Sequence, residues 1–361
     1  MEFPRPQMVL DVAKLENNIR VMANWAASRS LNLAPHIKTT MTRQIVERQV
    51  NAGAWAVTVV NPQQARTAFS WGLRRLIIAN EIVDPLGLAA MRALLKQDDE
   101  TIMYVLADSC AGVQRMSTAF ASLPGRLRVL LDVGAMGGRT GVRTLDDARC
   151  VAQEIHDAPA LLFAGVSAYE GVAPEIRRPD VVDQVDHHLS LAVEAYNALH
   201  DLMDTDPVFT AGGSAFPDRA AVHLPSKPHT PVLRSGSYVT HDDGVYAGVC
   251  PVEGLQPAVT VHTVVASVPE PGLAVLNAGK RDLPYDAGLP VVVRVTGDHG
   301  EKPAAGTVER LFDHHALVRG ADLAVGDTVA LGISHPCGVF DRWRVIEAVL
   351  GGTSEAWTTE F

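Results

Sequence analysis

The chain has 361 residues, 47% hydrophobic and 20% charged, enough to bury a full core and inconsistent with a disordered or fibrous chain. Its net charge of −10 is spread without a basic block, which excludes nucleic acid as the main partner and favours a small-molecule ligand. No basic leader with an apolar run opens the chain, and no stretch approaches the ~20 apolar residues of a membrane span, so a cytoplasmic protein with no membrane partner is expected.

Apolar runs of strand length alternate with helical patterns over the first two thirds of the chain. Strands are expected at residues 31–35, 55–60, 75–79, 102–107, 128–132, 162–168, 207–211 and 231–234. Helices are expected at 42–52, 62–71, 86–96, 111–120, 145–157 and 180–204. Eight strands with intervening helices predict a (β/α)8 TIM-type barrel over residues 15–245. Beyond residue 246, β-rich runs such as "AVTVHTVVASV" and "GDTVALGIS" are punctuated by Gly, Pro and Asp turns, which predicts an all-β domain over 246–361. Residues 1–14 are too few to fold alone and are expected to add a strand to it. Cys110, Cys150, Cys250 and Cys337 are widely spaced without a CxxC pair, so no disulfide framework is expected, and the first three read as core or neutral positions.

The chemistry-bearing residues fall at strand ends, where a barrel of this type holds its site. After the seventh strand, "AGGSAF" offers backbone donors at Gly212 and Gly213 and a hydroxyl at Ser214. After the eighth, "RSGSYVTHDDG" offers Gly236 and Tyr238. Across the barrel, "LAPHIKTTM" puts His36 and Lys38 at the end of the first strand. A phosphate site facing a lysine is what pyridoxal 5'-phosphate requires: an anchored phosphate and an amine that condenses with the aldehyde. "DVGAMGGRTGVR" carries Arg139 and Arg143, either of which could meet the pyridine nitrogen. In "GISHPCGVFDRW", His335 and Cys337 are two apart, so on an extended segment both face one way, as a zinc pair would. His314 and His315 are candidates for a third ligand, as are solvent and substrate oxygens. His187 and His188 read as solvated.

These motifs, together with "GAWAVTV", "YEGV" and "GKRDLPYDAGLP", resemble the D-serine dehydratase and low-specificity D-threonine aldolase family. Its members are fold-type III pyridoxal phosphate enzymes with an alanine racemase-like barrel, and the likeness is greatest to the bacterial amino acid deaminase branch. The resemblance implies that Lys38 holds the cofactor and acts in catalysis together with Tyr169, which lies close to the ring. It counts His36 and Arg143 among the cofactor contacts, puts Gly212, Gly213, Ser214, Gly236 and Tyr238 around the phosphate, and makes His335 and Cys337 ligands of zinc or a similar divalent ion. In the family His-x-Cys tends to accompany dehydratases and His-x-Asp aldolases, so the expected reaction is elimination from a small D-β-hydroxy amino acid to a 2-oxo acid and ammonia. A D-threonine-type aldolase and a non-catalytic pyridoxal phosphate carrier are the rivals. Thr39, Thr40 and Met41 depart from the Thr-His-Lys of better known members, which leaves the substrate's side chain open. A homodimer is expected, with His335 and Cys337 reaching Lys38 across the interface.

Overall fold

The computed structural model describes residues 3–361. Strand β1 (Gln7–Asp11) leads into helix α1 (Val12–Ala27), and strands and helices then alternate. The first half comprises β2 (Asn32–Leu33), α2 (Arg43–Asn51), β3 (Val57–Val59), α3 (Pro62–Ser70), β4 (Arg75–Glu81), α4 (Pro85–Gln97), β5 (Ile102–Ala107) and α5 (Cys110–Phe120). The second comprises β6 (Leu127–Val133), α6 (Leu145–His156), β7 (Leu161–Ala168), α7 (Pro179–Leu199), β8 (Val208–Ala211), α8 (Pro217–Val222) and β9 (Thr230–Leu233).

β2 to β9 pair in parallel in the order β2-β9-β8-β7-β6-β5-β4-β3. The two ends nearly meet: a bridge joins His36 to Thr58, and the Thr58 amide donates to the Pro35 carbonyl at 2.9 Å. The result is the expected (β/α)8 barrel, almost closed. Its first strand is shorter than the sequence suggests, because Pro35 has no N–H for a ladder and the chain then enters a 3-10 turn, Ile37–Thr39.

The strands are apolar on both faces because both are covered. In β5, Tyr104 and Leu106 join Ile77, Leu130, Val208 and Val232 inside the barrel, while Met103, Val105 and Ala107 meet the helices. Several barrel helices begin with a side-chain cap: Asn61, Asp84 and Ser109, shortly after a strand, and Thr144, after a longer loop, each accept from the amide three residues on. These caps fix the loops at the end of the barrel where the strands finish.

A short α9 (Val245–Val249) leads to the strand-rich remainder: β10 (Val259–Glu270), β11 (Leu273–Leu276), β12 (Val291–Gly297), β13 (Gly300–Lys302), β14 (Thr307–Leu311), β15 (Ala316–Arg319), β16 (Thr328–Gly332), β17 (Val345–Leu350) and β18 (Thr353–Thr358). β1 lies in the middle of this second sheet, antiparallel to β10 and parallel to β17. The N-terminal segment thus stitches the two halves of the chain together before the barrel begins.

Candidate active site

A cavity of about 270 Å³ opens where the barrel strands end. Lys38, on the 3-10 turn after β2, lines it, and so does His36. Burial, then the charges of Lys38 and Arg234, hold the imidazole of His36 well below its ordinary pKa, so it is neutral. Its Nδ1 is buried and has no protein partner. Tyr169, which follows β7, also lines the cavity; burial and the adjacent Glu170 push its phenol up to about 12.

The glycine loops are not across the barrel from Lys38, as expected, but beside it: β9, which Gly236 follows, pairs with β2, and β8, which Gly212 follows, pairs with β9. Gly212, Gly213, Ser214 and Gly236 all line the cavity. Gly212 has φ +92°, a left-handed conformation open to glycine, and a Cβ on Gly236 would overlap the His36 carbonyl. The amides of Gly212 and Gly213 already have a protein partner: they donate to the two carboxyl oxygens of Glu170 at 3.1 and 2.5 Å. Glu170 is buried, which pushes its pKa up against the pull of those amides. Sequence reasoning passed over it, because one acid after a strand carries no periodic signal.

Tyr238 does not line the cavity. The residues after Gly236 form another 3-10 turn, Ser237–Val239, which rotates successive side chains by about a third of a turn. Ser237 therefore faces the site, while Tyr238 is buried toward α2, its hydroxyl accepting from Gln49 Nε2 at 3.0 Å. Arg143 is displaced as well: its guanidinium binds the carbonyls of Arg139, Thr140 and Gly141, tying together its own glycine-rich loop. The guanidiniums that line the cavity belong to Arg139, 5.0 Å above the Tyr169 ring, and to Arg234.

Arg234 was missed, although a lone charge closing the apolar run "PVL" was a usable signal. It is buried and donates to Thr210 Oγ1 and to the Ala168 carbonyl, both at 2.8 Å. Burial works against its charge, while Asp132 and Glu170 support it. Asp132 also lines the cavity, accepting from Ser167 at 3.1 Å and Thr140 at 3.2 Å. Behind it, burial and the carboxylates of Asp132 and Asp108 push Glu81 up to about 8.

His335 and Cys337 complete the lining. They follow β16, on a loop held to the barrel by the amides of Asp243 and Val245, which donate to the carbonyls of Ile333 and Ser334 at 3.0 and 3.3 Å. The two reach the Lys38 cavity within one chain, where an approach across a subunit interface was expected. The segment is also less extended than expected, since Pro336–Gly338 is a 3-10 turn. Cys337 Sγ lies 3.3 Å from Thr39 Oγ1 and 3.5 Å from Ser237 Oγ. Hydrogen bonding to Cys337 raises His335 to about 9 against its burial, with Asp286 adding to the rise. Burial opposes a thiolate at Cys337, but His335 outweighs it and brings the thiol down. Asp286 fixes His335 through Nδ1 at 2.7 Å, which leaves Nε2 for the cavity.

His314 is exposed and its charged neighbour is Asp313, at 3.9 Å. Among the described residues no three His, Cys, Asp or Glu side chains form a metal cage. His335 and Cys337 are the donor types a borderline divalent ion prefers, in an arrangement that leaves coordination positions open. Pyridoxal phosphate fits as well: an amine at Lys38, an unpartnered His36 nitrogen, and a glycine-floored cradle beside them.

Two domain profiles match the chain in tandem: "Alanine racemase, N-terminal domain" over residues 10–240 and "Putative serine dehydratase domain" over residues 258–349. The chain therefore belongs to the fold-type III pyridoxal phosphate family that includes D-serine dehydratases and D-threonine aldolases. It is 26% identical over 321 residues to D-threonine aldolase of Arthrobacter sp., covering 87% of this chain and 79% of the relative. It is 25% identical over 288 residues to D-threo-3-hydroxyaspartate dehydratase of Delftia sp. (strain HT23), covering 78% and 73%. The crystal structure of D-threonine aldolase from Filomicrobium marinum matches with a TM-score of 0.85 at 26% identity, over 99% of this chain and 95% of that one. A variant of a D-threo-3-hydroxyaspartate dehydratase has been solved in a metal-free form.

Proposed function

We propose that this chain is a pyridoxal phosphate- and divalent metal-dependent dehydratase that converts a small D-β-hydroxy amino acid to a 2-oxo acid and ammonia, with zinc as the expected ion. The observation that carries the reading is a single cavity containing Lys38, the glycine loops and the His335 and Cys337 pair. When bound, pyridoxal phosphate delocalises the charge left at the substrate's Cα, and a divalent ion acts as Lewis acid on the β-hydroxyl, a poor leaving group by itself. Lys38 Nζ is assigned to hold the cofactor and to take the Cα proton. Ser214, Gly236 and Ser237 orient the phosphate end, His335 and Cys337 hold the ion, and Asp286 aims the imidazole. The narrow cavity limits water around the reacting carbons.

The D-threonine aldolase relative favours a second reading, in which the hydroxyl proton is taken, the Cα–Cβ bond breaks, and glycine and an aldehyde leave. The two are separated by giving cofactor-loaded protein D-serine, D-threonine or D-threo-3-hydroxyaspartate, with and without zinc, and assaying 2-oxo acid, ammonia and glycine. The dehydratase reading expects oxo acid and ammonia in equal amounts, abolished by chelation, and a C337A protein that keeps the cofactor but loses bound zinc. Glycine with an aldehyde would make the enzyme an aldolase; turnover of none of the three would leave a carrier. A homodimer is part of the proposal and is checked by sedimentation.

A further inference from the structure

Away from the cavity, Cys110 and Cys150 lie with their sulfur atoms 3.4 Å apart, although 40 residues separate them in sequence. Cys110 is the first residue of α5 and Cys150 lies within α6; the former is partly exposed and the latter exposed. The juxtaposition is not an accident of one rotamer. One turn along both helices, Gln114 Nε2 donates to Glu154 Oε1 at 3.1 Å, so the two helices keep this register beyond the thiols.

We propose that Cys110 and Cys150 form a surface dithiol site that reacts with low-molecular-weight disulfides to close an internal disulfide between α5 and α6. The thiolate of the exposed Cys150 attacks one sulfur of the reagent, giving a mixed disulfide and releasing one reagent thiolate. The Cys110 thiolate then attacks the Cys150 sulfur, and the second reagent thiol leaves. Overall, one reagent disulfide is reduced to two thiols and two protein thiols are oxidised to one disulfide. Bond formation needs the sulfurs to close to about 2.05 Å, a movement within reach of side-chain rotation. The closed loop contains β6 and residues 134–143, which bring Asp132, Arg139 and Thr140 to the cavity, so oxidation ties down one wall of the site.

The test uses the purified full chain, titrated with glutathione disulfide at increasing ratio to glutathione, with free thiols counted and intact mass measured. Wild type is expected to lose two thiols and two hydrogens as a monomeric chain without a glutathione adduct, and its thermal midpoint should rise. C150S and C110S should form no internal disulfide, and their midpoints should not rise. Persistent glutathione adducts at Cys110 or Cys150, disulfide-linked dimers, or no loss of thiols under excess oxidant would each overturn the proposal.

Discussion

Glu170 commits a buried carboxyl to holding two backbone amides, and its position decides what the glycine loop can offer. With Gly212 and Gly213 donating to its carboxylate, the loop is braced from behind and Ser214 is turned to the cavity. Removing that acceptor leaves two buried N–H groups unpaired, at about 1–3 kcal/mol each, which the loop escapes only by moving. E170A is therefore expected to weaken pyridoxal phosphate binding by about tenfold or more, with E170Q recovering part of the loss, as followed by equilibrium titration of the apoprotein. Unchanged affinity in E170A would mean the brace has no bearing on the cradle. Lys38 and the glycines could be found from sequence because strand ends and glycine loops mark the mouth of a barrel. Arg234, the charge that closes an apolar strand, could have been found the same way, whereas Glu170 and Asp132 could not, since their significance lies in what they face across different strands.

At the scale of the element, the short turns decide more than the helices. A 3-10 turn after β9 exchanges the expected Tyr238 for Ser237 at the cavity, and nothing in the alternation of apolar residues reveals a turn three residues long. Helix α1 was not among the expected helices, although Val12, Leu15, Ile19, Met22 and Ala26 are buried at helical spacing, a pattern the sequence does carry. Helix α7 holds a correction, because His188, read as solvated, is 4% exposed and neither ring nitrogen has a partner. Burial, then the charge of Arg143, lowers its pKa to about 4. The unfolded chain thus binds the proton first as pH falls through 6.5, and His188 withdraws stability progressively until the pH reaches about 4. The full loss is ~3 kcal/mol. H188L should be free of this loss, so its stability advantage over wild type, read from denaturant melts, should widen between neutral and acid pH. The raised carboxyls of Glu81 and Asp242 run the other way but are common to both proteins. Parallel pH profiles would show that the imidazole reaches water.

For the whole molecule, the decisive arrangement is that the β domain returns its His335 loop to the barrel of its own chain. The sequence revealed both units, but which barrel mouth the loop would enter depends on contacts such as Asp243 to Ile333, which no pattern encodes. Mixing inactive K38A with inactive C337A should consequently restore no activity, whatever the oligomeric state; recovery on mixing would mean the site is shared between subunits. The barrel itself is uneven. β6 and β7 are laddered from Leu127 and Leu161 to Val133 and Ala168, whereas β2 offers β9 two residue pairs and the seam toward β3 is held by the His36 bridge and the Trp55 amide on the Leu33 carbonyl. Local opening needs least free energy where ladder bonds are fewest, and that is where Lys38 is rooted. Amide hydrogen exchange at residues 33–37 should outpace that at 129–132, and loading the cofactor should slow the first set alone. Occupancy would then serve the protein as a missing stave, finishing a cylinder that the polypeptide leaves ajar.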